Sequence, residues 1–342
     1  MKQSFSSGWS PSPDTGVAPS LPQVSGEQFD TLALSLALAL PVHRRAWRAV
    51  QGAWHTLTAN RKVAAGTAIV GLFLGVAVFG PLFLHSDPDL YTPAINLPPS
   101  GAHWLGTTSL GQDVLSQLIK GTQTSVLWGF FSGMLVTLLS IVIGLVGGYF
   151  GGVIDEILSF LTNVFLVLPG IPLMLVIAAY IPTGPFTIAL VVAITSWAWG
   201  ARVLRAQTLS MRSREFVTAA RANGETTWRA IFCEIFPNQT SLVAANFVST
   251  MIQVILAFAT LQFLGLGDTS QASWGGMLNL AYNQNALLAG QWWWFVPPGA
   301  CIAILGAGLS LINFGIDELA DPRLRSEATM RLPRPKKAVA SW

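Results

Sequence analysis

Few side chains in this sequence could carry out chemistry, and they do not form any of the common catalytic or metal-binding motifs. The histidines and cysteines are His43, His55, His85, His103, Cys233 and Cys301. The histidines lack the short spacings of zinc ligands, and two cysteines are too few for a disulfide framework. No Gly-Lys pair occurs, which excludes a Walker-type phosphate loop, and H-E-x-x-H, C-x-x-C and G-x-S-x-G motifs are missing. We therefore expect no catalytic residues, no bound metal and reduced cysteines.

The composition is typical of a membrane protein. Of the 342 residues, 52% are hydrophobic and 10% are charged, and the mean hydropathy is +0.53. Soluble domains carry about 25% charged residues, so one water-soluble core cannot accommodate this sequence. The composition excludes a soluble enzyme, a secreted disulfide scaffold and a nucleic-acid-binding protein. It predicts an all-α polytopic membrane protein.

Six apolar stretches are each long enough to cross a hydrocarbon layer about 30 Å thick. They are Val63–Leu84, Ser125–Phe150, Ile157–Ile181, Pro185–Val203, Leu242–Leu264 and Trp293–Ile316. We predict a transmembrane helix at each stretch and a loop over 85–124. The interiors of these stretches contain no clear Asp, Glu, Lys or Arg. A proton-coupled transporter needs ionisable groups in its spans, so a secondary transporter is disfavoured.

The positions of the basic residues predict the orientation. Of the 19 Lys and Arg residues, 18 lie before the first span, between the fourth and fifth spans, or after the sixth. Because basic residues accumulate in cytoplasmic loops, both termini are predicted to be cytoplasmic. The loops 85–124 and 265–292 then face outward and are extracytoplasmic. Lys120 is the one basic residue on that side.

Three segments flank the membrane core. Residues 1–43 begin with a Ser-, Pro- and Gly-rich stretch that cannot bury enough apolar surface to fold, so we predict a disordered cytoplasmic tail. Over 44–62 apolar residues recur near helical spacing between basic ends, which predicts an amphipathic cytoplasmic segment. A plain extension of the first span is the alternative. Residues 317–342 are predicted to form a cytoplasmic C-terminal tail.

Polar and small residues occur within the spans. Asn163, Asn246 and Gln253 either form interhelical hydrogen bonds or line a translocation pathway. Several glycines between 144 and 152 have overlapping G-x-x-x-G spacings, which predicts a face for close helix packing.

The segment 213–238 connects the fourth and fifth spans and has the pattern of two short helices. Phe216, Ala219 and Ala220 are predicted to share a helix face, and Asn223-Gly224 is a helix-stop pair. In the second helix, an apolar face is predicted from residues at i, i+3, i+4 and i+7, which are Trp228, Ile231, Phe232 and Ile235. Pro237 marks the turn into the fifth span. The pattern indicates a docking element or an interfacial loop that packs on the chain's own helices.

This segment resembles the "EAA" coupling loop of ABC importer permeases, and we call it the coupling segment. The matches are Ala219, Ala220, Gly224 and Pro237, with Phe236 in the usual Leu place and Arg214, Glu215, Phe216 and Val217 agreeing upstream. Thr218 stands where that family carries Glu, and Glu215 lies one helical turn earlier.

Further blocks over about residues 58–326 resemble the C-type permease subunit of oligopeptide and dipeptide importers. They include Asn60-Arg61-Lys62, Leu105-Gly106-Thr107, Asp113-Val114-Leu115-Ser116, Phe263-Leu264-Gly265-Leu266-Gly267, Ser273-Trp274-Gly275 and Asp321-Pro322-Arg323. In the outer loop, Thr108, Gln112, Gln117 and Gln123 replace residues that are usually Asp or Arg in that family.

The resemblance implies the type I ABC importer permease fold and half of a translocation pathway. It implies a second homologous permease, two cytoplasmic ATPases and an extracytoplasmic substrate-binding protein, in a bacterial cytoplasmic membrane. ATP and magnesium are then expected on the ATPases, and no cofactor or nucleic acid on this chain. The residues expected to dock the ATPases are Arg214, Glu215, Phe216, Ala219, Ala220, Gly224, Trp228 and Pro237.

The resemblance implies peptides as cargo and alternating access as the transport mechanism. Nickel, glutathione or another small solute is an alternative cargo, because related permeases serve those solutes. A membrane-embedded enzyme is the alternative from another class, and the missing catalytic motifs count against it.

Overall fold

Helices form nearly all of the secondary structure. The computed structural model describes residues 61–84, 88, 90–182, 184–267 and 271–320. Within these ranges the helices are α1 (Arg61–Phe79), α2 (Val114–Phe150), α3 (Gly152–Val167), α4 (Gly170–Ala179), α5 (Pro185–Ser196), α6 (Ala198–Met211), α7 (Glu215–Ala222), α8 (Thr227–Arg229), α9 (Phe236–Asn238), α10 (Thr240–Leu261), α11 (Trp274–Asn283) and α12 (Trp292–Ala320). A 3-10 turn continues α1 over Gly80–Phe83, and π-helical turns lie at Ala230–Ile235 and Gln262–Leu266. The predicted tail 1–43 and most of the segments 44–62 and 317–342 lie outside the described residues.

Four helical stretches are long and apolar enough to cross a membrane without a break. They are Arg61–Phe83, Val114–Phe150, Thr240–Leu266 and Trp292–Ile316. Two bent pairs also pass this test, α3 with α4 at 93° and α5 with α6 at 41°. If each pair forms one span, the described residues contain the six predicted spans.

The prediction of a continuous third span over Ile157–Ile181 is wrong. Leu168 and Pro169 adopt extended backbone between α3 and α4. Proline lacks an N–H, and its ring disfavours the helical conformation of the residue before it, so the helix ends here. The 93° bend follows from this break. The predicted fourth span, Pro185–Val203, is likewise bent, at Trp197, and it continues to Met211.

The predicted outer loop 85–124 is too long by eleven residues, because α2 begins at Val114. The Asp113 carboxylate caps this helix by accepting a hydrogen bond of 2.9 Å from the Ser116 backbone N–H. The first turns of α2 carry Ser, Gln, Lys and Thr, so their hydropathy is below that expected for a membrane span. The helix nevertheless continues without a break from Val114 to Phe150. Arg61 and Lys62 belong to α1, and residues 317–320 belong to α12, instead of the flanking segments.

Two glycines of the predicted G-x-x-x-G face lie in a close contact between helices. A Cβ atom on Gly144 would lie 2.8 Å from the Leu204 Cβ, and one on Gly148 would lie 2.6 Å from the Thr208 Cβ. The backbones of α2 and α6 therefore approach more closely than larger residues would allow. At the centre of the described fold, Val136 of α2, Val192 of α5 and Phe258 of α10 belong to one buried apolar cluster. This cluster holds α2, α5 and α10 together.

Candidate coupling site

The first helix of the coupling segment ends as the sequence predicts. Gly224 has a φ of +79°, in the left-handed region. Its N–H donates to the Arg221 carbonyl oxygen at 3.0 Å, and the Glu225 N–H donates to the Ala220 carbonyl oxygen at 3.1 Å. These two bonds form the Schellman motif that closes many helices. No heavy atom lies within 4 Å of a Cβ placed on Gly224, so backbone conformation and not space requires glycine here.

The predicted helix face of α7 is only partly correct. Phe216 is 37% exposed, whereas Ala220 is 8% exposed and packs inward beside the fully buried Val217. Val217 lies in an apolar cluster with Leu145 and Tyr149 of α2. The predicted docking residues that the structure exposes are Arg214, Glu215, Phe216, Ala219, Gly224, Trp228 and Pro237. Docking by Ala220 is therefore disfavoured. The sequence pattern did not identify Val217 as the residue that packs α7 against α2.

The second predicted helix of the coupling segment is divided by a π-helical turn over Ala230–Ile235. Ile231 and Ile235 are fully buried, whereas Trp228 is 57% and Phe232 41% exposed. The prediction that these four residues share one face is wrong. A π-turn adds one residue to each hydrogen-bonded ring, so the i, i+3, i+4, i+7 pattern no longer describes a single face.

Three exposed aromatic rings form a cluster where the coupling segment lies beside the end of α2. Trp228 and Phe232 stack with centroids 5.9 Å apart and an interplanar angle of 16°. Phe150, the last residue of α2, lies 6.3 Å from Trp228 and is 43% exposed. We call Phe150, Trp228 and Phe232 the exposed aromatic cluster. Exposed apolar patches are typical of sites that contact another protein or a membrane surface.

Hydrogen bonds attach the coupling segment to the membrane helices. Arg221 Nε donates to the Tyr149 hydroxyl at 3.1 Å, and its guanidinium carbon lies 4.7 Å from the centre of that ring. Directly after the segment, buried Gln239 Nε2 donates to Thr208 Oγ1 of α6 at 3.0 Å. Hydrogen bonds therefore connect the segment to α2 and its following residue to α6. No local pattern in the sequence distinguishes Arg221 from the other basic residues of its loop.

A bidentate ion pair connects α3 to α6 near the coupling segment. Arg205 Nη2 donates to Asp155 Oδ2 at 2.7 Å, and Arg205 Nε donates to the other carboxylate oxygen. Ser159 Oγ also donates to Asp155 Oδ1, at 3.2 Å. Parallel bonds of this kind fix geometry as well as adding energy. The sequence contains both charges, but their separation of fifty positions gives no signal of the pair.

The three predicted pathway residues lie in different environments. Asn246 is buried on α10, and its Nδ2 would lie 2.7 Å from a Cβ on Gly200 of α6, so it packs between helices. Asn163 on α3 and Gln253 on α10 are exposed. The structure therefore buries one of the three residues and exposes the other two. Among the described residues, no group of three or more His, Cys, Asp or Glu side chains is placed to hold a metal ion.

Two family models match the sequence. One, described as "Binding-protein-dependent transport system inner membrane component", matches residues 140–326, which include the coupling segment. The other, "N-terminal TM domain of oligopeptide transport permease C", matches residues 49–99. The chain belongs to the binding-protein-dependent permease family. This membership confirms the resemblance to the oligopeptide and dipeptide branch of ABC importer permeases.

Curated relatives cover most of the chain. The dipeptide transport system permease protein DppC of Bacillus subtilis (strain 168) is 32% identical over 277 residues, 80% of this chain and 86% of the relative. The oligopeptide transport system permease protein OppC of the same strain is 29% identical over 87% of this chain and 97% of its own length. The glutathione transport system permease protein GsiD of Pectobacterium atrosepticum is 30% identical over 83% of this chain and 93% of its own length. Members of this family are permease subunits and not enzymes.

Proposed function

We propose that this chain is the membrane permease subunit of an ATP-driven peptide importer in a bacterial cytoplasmic membrane. Relatives named for dipeptide and oligopeptide transport match 80% and 87% of the chain. The observation that carries the proposal is the coupling segment, which combines the family pattern with an exposed apolar surface. Glutathione is a second candidate cargo, since a relative named for glutathione transport is 30% identical.

Two ATPase subunits dock on the coupling segments of this chain and of a second, homologous permease. On this chain the contact is made by Phe216, Ala219 and the exposed aromatic cluster, with Arg214 and Glu215 supplying charge. The surface is apolar and solvent-facing in the isolated chain, so covering it with an ATPase removes apolar area from water. ATP and magnesium bind to the ATPases.

The attachments of the coupling segment support its role in transmission. Closure of the ATPase pair moves the segment, and the Arg221–Tyr149 and Gln239–Thr208 bonds carry that motion to α2 and α6. The spans then tilt and open the pathway to one side of the membrane at a time. Val217 holds α7 against α2 during this motion.

In the proposed orientation both termini and the coupling segment are cytoplasmic, following the distribution of basic residues. An extracytoplasmic binding protein delivers cargo to the opposite face. Asn163 and Gln253 are exposed polar residues on membrane helices, where contact with lipid is unfavourable. In the complex, the second permease subunit shields Asn163 and Gln253 from lipid, and the two residues border the pathway between the subunits.

The test is co-purification of the full-length chain with its partner permease and ATPases, followed by peptide uptake in reconstituted vesicles. We expect Trp228→Glu to reduce ATPase recovery at least tenfold, because a charge is placed in an apolar contact. The matched control is Trp104→Glu. This tryptophan is 73% exposed and lies in the loop between α1 and α2, outside the coupling segment. The proposal is contradicted if Trp228→Glu leaves ATPase recovery unchanged. It is also contradicted if the chain purifies without partners and shows catalytic turnover.

A further inference from the structure

An exposed pair of leucines lies in the loop that joins α11 to α12. Leu287 is 68% exposed and Leu288 is 86% exposed, whereas the preceding residue, Ala286, is fully buried. Leaving two large apolar side chains side by side in water is unfavourable, and such surfaces are typical of sites that another molecule covers. We call residues 286–289 the leucine turn.

Backbone hydrogen bonds fix the shape of the leucine turn. Asn285 ends α11 with a φ of +57°, and the Ala286 N–H donates to the Ala281 carbonyl oxygen at 2.9 Å. This closure is of the Schellman type. The turn closes in the same way on its other side, where the Gln291 N–H donates to the Ala286 carbonyl oxygen at 2.9 Å. The two leucines are therefore presented on a preformed turn, which reduces the ordering cost of contact with a partner.

The buried anchor of the turn lies where α12 enters the membrane. Ala286 belongs to one buried apolar cluster with Trp294 and Val114. Trp294 is the third residue of the membrane-spanning stretch Trp292–Ile316. Val114 is the first residue of α2, and the last residue of that helix, Phe150, lies beside the coupling segment. The leucine turn therefore lies at the end of the spans opposite the coupling segment, level with the start of α12.

The surroundings of the turn are uncharged and aromatic. Residues 271–316 contain no Asp, Glu, Lys or Arg. Tyr282 and Trp292, on either side of the turn, are 70% and 54% exposed. Tyrosine and tryptophan accumulate where a bilayer meets water, whereas contacts with soluble proteins have a polar rim and complementary charges. The composition therefore favours lipid over a soluble protein as the partner of the leucine turn.

We propose that the leucine turn inserts into the membrane leaflet at this end of the chain, which is the outer leaflet in the proposed orientation. The headgroup region adds about 5–7 Å to each side of the hydrocarbon core. A leucine level with the start of a span can cross that layer, because the apolar surface of α12 continues directly into the turn. The loop 265–292, predicted to face water, then has its tip in lipid.

Insertion of the turn anchors the outer ends of the neighbouring helices. A Cβ on Gly275 of α11 would overlap the Ala259 carbonyl oxygen of α10, so these two helices lie in tight contact. The Trp274 backbone N–H also donates to Ser125 Oγ of α2 at 3.0 Å. A fixed depth of the leucine turn therefore holds α11 in place against α10 and α2.

The test places a fluorescent nitrobenzoxadiazole label on the full-length chain in phosphatidylcholine vesicles. The label is attached to Leu288→Cys, after Cys233→Ser and Cys301→Ala have removed the native thiols. We expect the emission to shift to the blue and to be lost when nitroxides are placed on the acyl chains, with little quenching by iodide in the water. Gln284→Cys, at an exposed polar residue that follows α11, is the matched control and should show the opposite pattern.

Two further measurements address the label and the shape of the turn. Without a label, Leu288→Cys should react more slowly than Gln284→Cys with a membrane-impermeant maleimide, because a thiol among acyl chains stays protonated. Asn285→Val should reduce the quenching by lipid nitroxides, since a β-branched residue disfavours the left-handed conformation that starts the turn. Asn285→Gly should retain that quenching.

Iodide quenching at Leu288→Cys as strong as at Gln284→Cys overturns the proposal, because the turn then lies in water. The proposal is also overturned if the substrate-binding protein or the second permease abolishes quenching by both reagents, since the leucines then contact protein. Only the name of the leaflet depends on the proposed orientation. Because insertion requires neither cargo nor ATPases, its failure leaves the proposed function intact, and failure of peptide uptake leaves the insertion intact.

Discussion

Replacing Gly224 with valine perturbs the end of α7 without creating a clash inside the chain. No atom lies within 4 Å of the added Cβ, so the penalty comes from the φ of +79°. A residue with a Cβ costs about 1–2 kcal/mol in the left-handed region, and β-branching adds to this value. The helix end closed by the Schellman motif then competes with a state in which the last turn of α7 is frayed. We expect coupling between ATP hydrolysis and peptide uptake to fall about fivefold to thirtyfold, because 1.4 kcal/mol is a factor of ten.

A series of substitutions separates conformation from docking sterics. Asparagine tolerates the left-handed conformation, so Gly224→Asn should retain most coupling, Gly224→Ala should lose an intermediate part and Gly224→Val the most. Gly290 is a matched control, with a φ of +71° and no atom within 4 Å of its added Cβ, outside the coupling segment. Gly290→Val should leave coupling intact.

The assay is ATPase activity and labelled-peptide uptake in reconstituted vesicles, with recovery of the complex measured in parallel. Membrane insertion should be unchanged in every variant, because it depends on the spans. Wild-type coupling in Gly224→Val would show that this segment does not transmit motion. Equal losses in the asparagine and valine variants would refute the conformational reasoning and favour a steric one.

Three further predictions concern orientation, the N-terminal tail and the ion pair. A membrane-impermeant thiol reagent applied to intact cells should label Ser270→Cys and not Ser341→Cys; the reverse pattern refutes the orientation. Deletion of residues 1–30 should leave assembly and transport within about twofold of wild type, since their composition cannot support a packed fold; loss of the complex would show that the tail binds a partner. Asp155→Ala should lower the free energy of unfolding by about 1–2 kcal/mol in thermal denaturation, because Arg205 loses both hydrogen bonds. The double alanine variant should recover part of this loss, and additive losses would contradict direct coupling of the pair.

Local properties of the sequence were sufficient for the first, fifth and sixth membrane spans and for the position of the coupling segment. The length and hydropathy of an apolar stretch are local properties, so Val63–Leu84 and Leu242–Leu264 agree with α1 and α10 to within a few residues. The stop at Gly224 was likewise predictable, because its left-handed conformation follows from an Asn-Gly pair at a helix end. The close contact of α2 and α6 at Gly144 also follows from the sequence spacing, although the partner helix does not.

The tertiary structure alone decided which residues of these elements face inward. Ile231 and Ile235 of the π-turn at Ala230–Ile235 are buried in a cluster with Leu145 and Tyr149, whereas Trp228, just before the turn, is exposed. The pairing of Asp155 with Arg205 depends on the approach of α3 to α6, which no local pattern reports. A polar cavity likewise joins the start of α2, the turn that follows α10, and α11, with Gln117, Gln262 and Asn279 in its lining. Sequence periodicity describes one helix at a time, whereas burial and pairing depend on which helices come together, and long-range packing determines that.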